Sequence, residues 1–160
     1  MKRIPLTKGR FATVWDCDLL PGNWCYNKRG YACRRRKKSD GTGSKMILMH
    51  RVIAERAGMR IDGLEVDHID GDRLNNRRSN LRVATLSQNQ FNRPANKNNT
   101  SGYKGVCWCG QTRKWQAAIC VMGRSHKLGR FPDKIEAARA YNEAALKYHG
   151  EFACLNQVSV

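Results

Sequence analysis

Acidic residues are scarce in this chain: thirteen Asp and Glu face thirty Lys and Arg, leaving a formal net charge of +17 at pH 7. A surface that positive favours polyanions, because each phosphate it neutralises releases counterions. Long apolar runs are missing too, and none reaches the roughly 18 residues that mark a membrane-spanning helix. The basic opening, Met1 to Pro5, lacks the apolar stretch of a secretory signal. The expectation is a cytoplasmic protein that is not secreted and has no membrane partner. The seven cysteines (Cys17, Cys25, Cys33, Cys107, Cys109, Cys120 and Cys154) are odd in number, and no C-x-x-C pair occurs. This argues against a zinc finger or ribbon and suits free thiols in a reducing compartment. Nothing in the sequence points to an obligatory protein partner.

What is present is enough to fold. Hydrophobic residues make up 41% of 160 residues, which excludes full disorder and allows one domain or two small ones. Residues 1–48 predict short strands: Phe11 to Trp15, Trp24 to Tyr26, Gly30 to Cys33 leading into the basic run Arg34 to Lys38, and Lys45 to Met49. The basic run reads either as a solvated hairpin edge or as a phosphate contact. His50 to Ala57 has helical spacing, with Gly58 as its stop. Leu64 to Gly71 and Leu81 to Ala84 predict two strands around an Asn- and Arg-rich loop. Thr85 and Gln88 match a capping box, predicting a helix to about Phe91.

The polar stretch 94–101 predicts a linker. Beyond it, Tyr103 to Trp108, Trp115 to Val121 and His126 to Leu128 predict three strands. A second capping box, Asp133 with Glu136, opens a helix with Ile135, Ala138, Tyr141, Ala145 and Tyr148 on one face, ended by Gly150.

The chemistry concentrates between Asp67 and Asn89. Asp67 and His68 are adjacent, so in a regular strand they point to opposite faces; they serve one site only if the strand ends there, as Gly71 suggests. Asn89, early on the next helix, can reach back towards the hairpin. This gives one carboxylate, one imidazole and one amide oxygen. Mg²⁺, or another divalent cation such as Mn²⁺, takes hard oxygen ligands and keeps several waters, so Asp67 and Asn89 suffice as a metal anchor. A neutral His68 can take a proton from water near neutral pH. Together these parts suit phosphodiester hydrolysis.

The run Val66-Asp67-His68-Ile69-Asp70-Gly71-Asp72, then Asn75 to Thr85, then Gln88-Asn89 resembles the HNH endonucleases of phage homing type, over about residues 49–92. The resemblance implies a ββα-metal fold with one divalent cation. It places His68 as the general base and Asn80, twelve residues on, as the residue that orients His68 and braces the loop. It makes Asp67 and Asn89 the metal ligands. A bacterial or phage-infected cell is then the expected setting. His50 is either a structural hydrogen bonder or a second functional histidine. Asp70 and Asp72 suit turn formation. Arg73, Arg77, Arg78 and Arg82 either meet phosphate or brace the loop; Arg77 and Arg78 are taken as DNA-binding candidates.

The tail, over about 101–156, is similar to the plant ethylene-response-factor DNA-binding domain, through Tyr103-Lys104-Gly105-Val106, Lys114 to Ile119, Leu128 to Phe131 and Glu136 to Asn142. This implies a three-stranded sheet in the major groove, a fit its width allows. By position, Lys104, Trp108, Arg113, Trp115 and Lys127 are the DNA-contact candidates, with Trp115 alternatively a core residue.

The expected whole is an α+β protein. Residues 1–93 form a β-rich lead-in plus HNH nuclease domain with its core at 49–92, 94–101 a linker, and 102–156 a three-stranded antiparallel sheet packed on one helix. The expected function is metal-dependent cleavage of double-stranded DNA, targeted by the tail. The alternative is a non-catalytic DNA-binding protein or transcription regulator.

Overall fold

The architecture was obtained as a computed structural model, and it describes residues 1–158. The chain divides into two compact units, Met1–Leu86 and Ser87–Val160. It is α+β throughout, with small antiparallel sheets and few helices. Among the described residues no helix is long and apolar enough to cross a membrane, and all seven cysteines are free thiols.

The first unit opens with a two-stranded ribbon, β1 (Lys2–Pro5) against β2 (Phe11–Val14). The sequence reading missed β1. Only Ile4 of its four residues is buried, and Pro5 is a residue that sheets tolerate at edges. A three-stranded sheet follows, in the order β3 (Cys25–Tyr26), β4 (Ala32–Lys37), β5 (Ser44–Leu48). The basic run lies in β4, with Arg35, Arg36 and Lys37 exposed. Met49 does not extend β5 but starts α1 (Met49–Arg56). The reason is spacing: Met49, Ile53 and Ala54 fall on one helical stripe, all 0% exposed. Burying a side chain of that size contributes roughly 1.5–3 kcal/mol, more than any strand preference at the junction.

The unit's core gathers Ile4, Val14, Trp24, Met49, Ile53, Val66 and Leu81, so the lead-in, α1 and the next hairpin share one interior. That hairpin is β6 (Glu65–His68) paired with β7 (Leu81–Ala84), with Asp67 opposite Arg82 and His68 opposite Leu81. The long loop between them ends in a short helical turn, Arg78–Asn80. The ribbon reaches into this loop: Thr13 N donates to Leu74 O and Asn76 N donates to Thr13 O, both at 2.8 Å. Helix α2 (Leu86–Phe91) begins two residues after β7.

The second unit holds β8 (Val106–Cys109), β9 (Lys114–Val121) and β10 (Arg124–Phe131), with β9 central, and α3 (Lys134–His149). The capping expected at Asp133 is present: its carboxylate accepts from Ile135 N at 2.8 Å and Glu136 N at 3.2 Å. Val106 and Ala117 pack on Ala137 and Ala138, and Ile119 packs on Tyr141 and Ala145. Gly105 explains how the sheet comes so close. Its φ is +73°, and a Cβ there would meet Tyr141 Cδ2 at 2.1 Å. Part of the expected linker is built into this unit. Ser101 is buried, its hydroxyl donating to Val106 O at 2.8 Å, and Asn99 Oδ1 accepts from Ser101 N at 2.8 Å.

Candidate active site

Strand β6 stops at His68, because Gly71 N turns back to donate to His68 O at 2.9 Å. Gly71 makes that turn with a φ of +76°. Asp67 and His68 are the last two paired residues of the strand, opposite Arg82 and Leu81. Both are buried, at 6% and 4% exposure.

The pleat separates their partners. The Asp67 carboxylate meets Arg82 across the hairpin: Oδ2 accepts from Nε at 3.0 Å and from Nη2 at 2.9 Å. His68 turns inward. Its ring centroid lies 5.1 Å from that of His50, at 82° between planes, and 6.1 Å from that of Tyr31. Burial pushes the His68 pKa below its ordinary value, opposed by a hydrogen bond with Asn76 and the nearby charges of Asp70, Asp67 and Asp72. Burial also drives His50, on α1, down to about 3, helped by His68 and Arg51. His50 Nδ1 is buried without a hydrogen-bond partner among the described residues.

The loop is held by amides. Asn80 Nδ2 donates to Asp70 Oδ1 and to Asn75 O, both at 2.8 Å, and its Oδ1 accepts from Asp70 N at 3.1 Å. Asn75 Nδ2 donates to Asp70 Oδ2 at 2.6 Å. Burial would raise the Asp70 pKa, but the bonds from Asn75, Asn80 and the Asp72 amide outweigh it and hold it below the ordinary value. Asn80 thus ties Asp70 to Asn75 across the loop. The residue bonded to the His68 ring is Asn76, with Oδ1 3.3 Å from Nε2. Sequence reasoning did not single out Asn76. The signal was the Asn75-Asn76 pair, whose second member is 0% exposed.

The loop arginines each have a partner within the unit. Arg78 closes on Asp18, which is fully buried, with Nη2 to Oδ1 at 2.6 Å. Arg77 Nε donates to Asn75 Oδ1 at 2.8 Å, and its guanidinium lies over Trp15. Arg73 lies over Tyr31.

For a metal, the donor chemistry decides fit. Among the described residues no three His, Cys, Asp or Glu gather at one point to hold an ion. A cation at this hairpin would have to draw on amide, water or phosphate oxygens besides any single carboxylate. That suits a hard divalent ion with few protein ligands. Asn89 lies on α2, in the second unit.

In the second unit, register sorts the DNA candidates by face. Ala117 and Ile119 point to α3, so Gln116 and Ala118 point away. Lys127 pairs with Ala118 and Arg130 with Gln116, which places both on the open face. Arg130 was not singled out from sequence, because a bulge between Lys127 and Gly129 breaks the simple alternation. Trp115 packs on the Val106 and Ala117 cluster, and Trp108 lies edge-on to it at 5.1 Å, half exposed. Arg113 sits in the β8–β9 turn with a φ of +50°. Lys104 spends its ammonium inside the unit, donating to Phe91 O at 2.5 Å and Arg93 O at 2.6 Å. Burial lowers its pKa.

The HNH endonuclease family model matches residues 48–91, which spans α1, both hairpin strands and α2. The chain is similar to Protein 3.8 of Escherichia phage T7, at 35% identity over 46% of this chain and 60% of that protein. It is also similar to a protein described as an uncharacterized HNH endonuclease of Acanthamoeba polyphaga mimivirus, at 40% identity over 50% of this chain and 40% of that one. An AP2-like ethylene-responsive transcription factor of Arabidopsis thaliana is 37% identical over 39% of this chain and 13% of its own length. The chain thus spans less than two thirds of each of these relatives. No solved structure matches it. Residues 48–91 thus match the HNH endonuclease family, and the C-terminal part carries a weaker similarity to plant AP2-like proteins.

Proposed function

We propose that the protein is a divalent-cation-dependent endonuclease that cuts duplex DNA. The observation that carries this is the end of β6, where a buried carboxylate and a buried imidazole are consecutive residues inside the HNH match. His68 is the general base. Its lowered pKa keeps the ring neutral, and so able to accept a proton, at physiological pH. Asp67 and Asn89 would hold the cation. When bound, that ion supplies charge neutralisation at the scissile phosphate. Asp70, Asn75 and Asn80 fix the loop. The products are a 5′-phosphate and a 3′-hydroxyl.

The C-terminal sheet supplies affinity for DNA, with Lys127 and Arg130 on its open face. Arg reads guanine bidentately and Lys holds phosphate. The test is plasmid cleavage in Mg²⁺ and in EDTA, with H68A as control. Cleavage in Mg²⁺ that is lost in EDTA, and reduced about 10²- to 10⁴-fold in H68A at unchanged DNA affinity, is expected. Intact DNA under all conditions, with tight binding, would leave a DNA-binding regulator, the reading that the AP2-like similarity favours.

A further inference from the structure

Five consecutive cations, Arg34 to Lys38, run along β4 and its end, and alternation sends them to both faces of the sheet. The strand leaves the core as it goes. Ala32 is buried, whereas Arg35, Arg36 and Lys37 are exposed, as are Ser44, Lys45 and Met46 opposite them on β5. Arg34 turns back into the unit, its Nη1 donating to Pro21 O at 2.8 Å and its guanidinium lying over Trp24. The cations beyond it have no such use: no ion pair reaches Arg36, Lys37, Lys38 or Lys45 among the described residues. Arg36 stands directly opposite Lys45, and like charges so placed repel and weaken a strand pair. The hairpin's own acid, Asp40, is spent on its turn, where Oδ1 accepts from Thr42 N at 2.9 Å and from Thr42 Oγ1 at 2.7 Å.

Guarding a sheet edge against pairing with another chain does not explain this pattern. Charge of either sign blunts an edge, and acid set opposite base would do so without repulsion. A ribbon that is positive on both faces is short of an anion. Beside it, an open groove of about 680 Å³ between the hairpin and α1 is lined by Arg36, Lys38, Lys45 and Arg56, against two acids, Asp40 and Glu55. On the reading of this protein as a nuclease of duplex DNA, on which this step rests, we propose that the β4–β5 ribbon is a backbone-gripping arm of the first unit. It binds phosphates of the duplex without reading bases and without help from the C-terminal sheet. Lys and Arg on phosphate fix position and carry no sequence information. A phosphate near Arg36 and Lys45 relieves their repulsion, so the strain that the ribbon carries alone becomes affinity for the polyanion.

The arm is tested on the full chain in EDTA, where binding is read without cutting. Fluorescence anisotropy on labelled duplexes of several sequences gives affinity, and thermal unfolding of the DNA-free protein gives Tm. Arg36→Gln with Lys45→Thr should weaken binding about 10- to 100-fold at roughly 0.1 M salt, equally for every sequence, and reduce the slope of log K against log salt by about 2. The same double variant should melt above wild type at low salt, a gain that fades at high salt as screening removes the repulsion. Arg36→Glu makes the cross-strand pair opposite in charge, so it should raise Tm while lowering affinity further than Arg36→Gln. If these cations served only to hold the ribbon together, Tm and affinity would fall together, and that result overturns the proposal. Unchanged affinity and slope also overturn it and leave a solvated edge. If the double variant does not fold, Arg36→Glu alone decides. Adding the double change to Lys127→Gln with Arg130→Gln should weaken binding beyond either pair; no further loss means that the arm does not grip on its own, and the proposal fails. Binding through the arm by a protein that never cuts in Mg²⁺ would sink the nuclease reading and leave the arm standing, whereas cutting by a protein whose arm variants bind like wild type does the reverse.

Discussion

Two histidines share one pocket, and their burial has a measurable cost at mild acidity. His50 has its folded-state pKa pushed down to about 3, while the unfolded chain titrates near 6.5. Between those values the unfolded state binds the extra proton, so stability falls as pH drops below 6.5 and the loss stops growing only near 3. From pH 7 to pH 5 this one group removes about 2 kcal/mol. That window lies above most carboxylate titrations. His50→Phe should therefore flatten the pH dependence of Tm between 7 and 5, followed by circular dichroism; an unchanged slope would mean that His50 is protonated in the fold. The ion pair of Asp18 and Arg78 gives a second test of burial. Asp18 is fully buried, whereas the Arg78 side chain is 40% exposed. Arg78→Met strands a carboxylate without solvent, but Asp18→Asn leaves a guanidinium that can turn to water. R78M should lower Tm more than D18N.

Helix α2 shows how an element can be held by a residue that the sequence assigns to other work. The Phe91 ring stacks on His149 at 3.8 Å between centroids and 6° between planes. The Lys104 ammonium closes on the carbonyls of Phe91 and Arg93, where a cation also meets the negative end of the helix. A Lys104 phosphate contact, expected from the plant-domain resemblance, and this cap predict different results. If the cap is its role, Lys104→Met lowers Tm and leaves the salt dependence of DNA affinity unchanged. Loss of a phosphate contact would instead reduce the slope of log K against log salt by about 1. The close approach at Gly105 makes another prediction. Gly105→Ala puts a methyl group into Tyr141 at a backbone angle that alanine resists, so a loss of more than about 2 kcal/mol in thermal unfolding is expected.

Much at this scale was legible beforehand. The hairpin strands and α2 lie where alternation, turn residues and the Thr85 signal put them, and α3 opens at its Asp133 cap. Less legible was whatever depends on distant partners. β1 has one buried side chain and becomes a strand only by pairing with β2. Asn76 looks like any loop asparagine until Thr13 and His68 are beside it. Lys104 and Trp115 follow the pattern of a DNA face, and only the structure shows that the Lys104 ammonium meets the carbonyls of Phe91 and Arg93 and that Trp115 packs on the Val106 and Ala117 cluster.

For the molecule as a whole, a net charge of +17 makes the proposed binding of duplex DNA strongly dependent on salt. With 6–10 phosphates neutralised, duplex affinity should fall about 10³- to 10⁵-fold between roughly 50 and 200 mM salt. Fluorescence anisotropy on labelled duplexes measures this; a flat response would mean that the cations are spent on internal partners. The ribbon of β1 and β2 carries a practical consequence. The family match begins at Leu48, yet Thr13 holds both Leu74 and Asn76 by the backbone. A graft of the matched segment alone would arrive in its new scaffold with the loop unmoored. To transplant the matched segment with its loop intact, a designer must bring the first fifteen residues along or supply a foreign strand edge where Thr13 now sits.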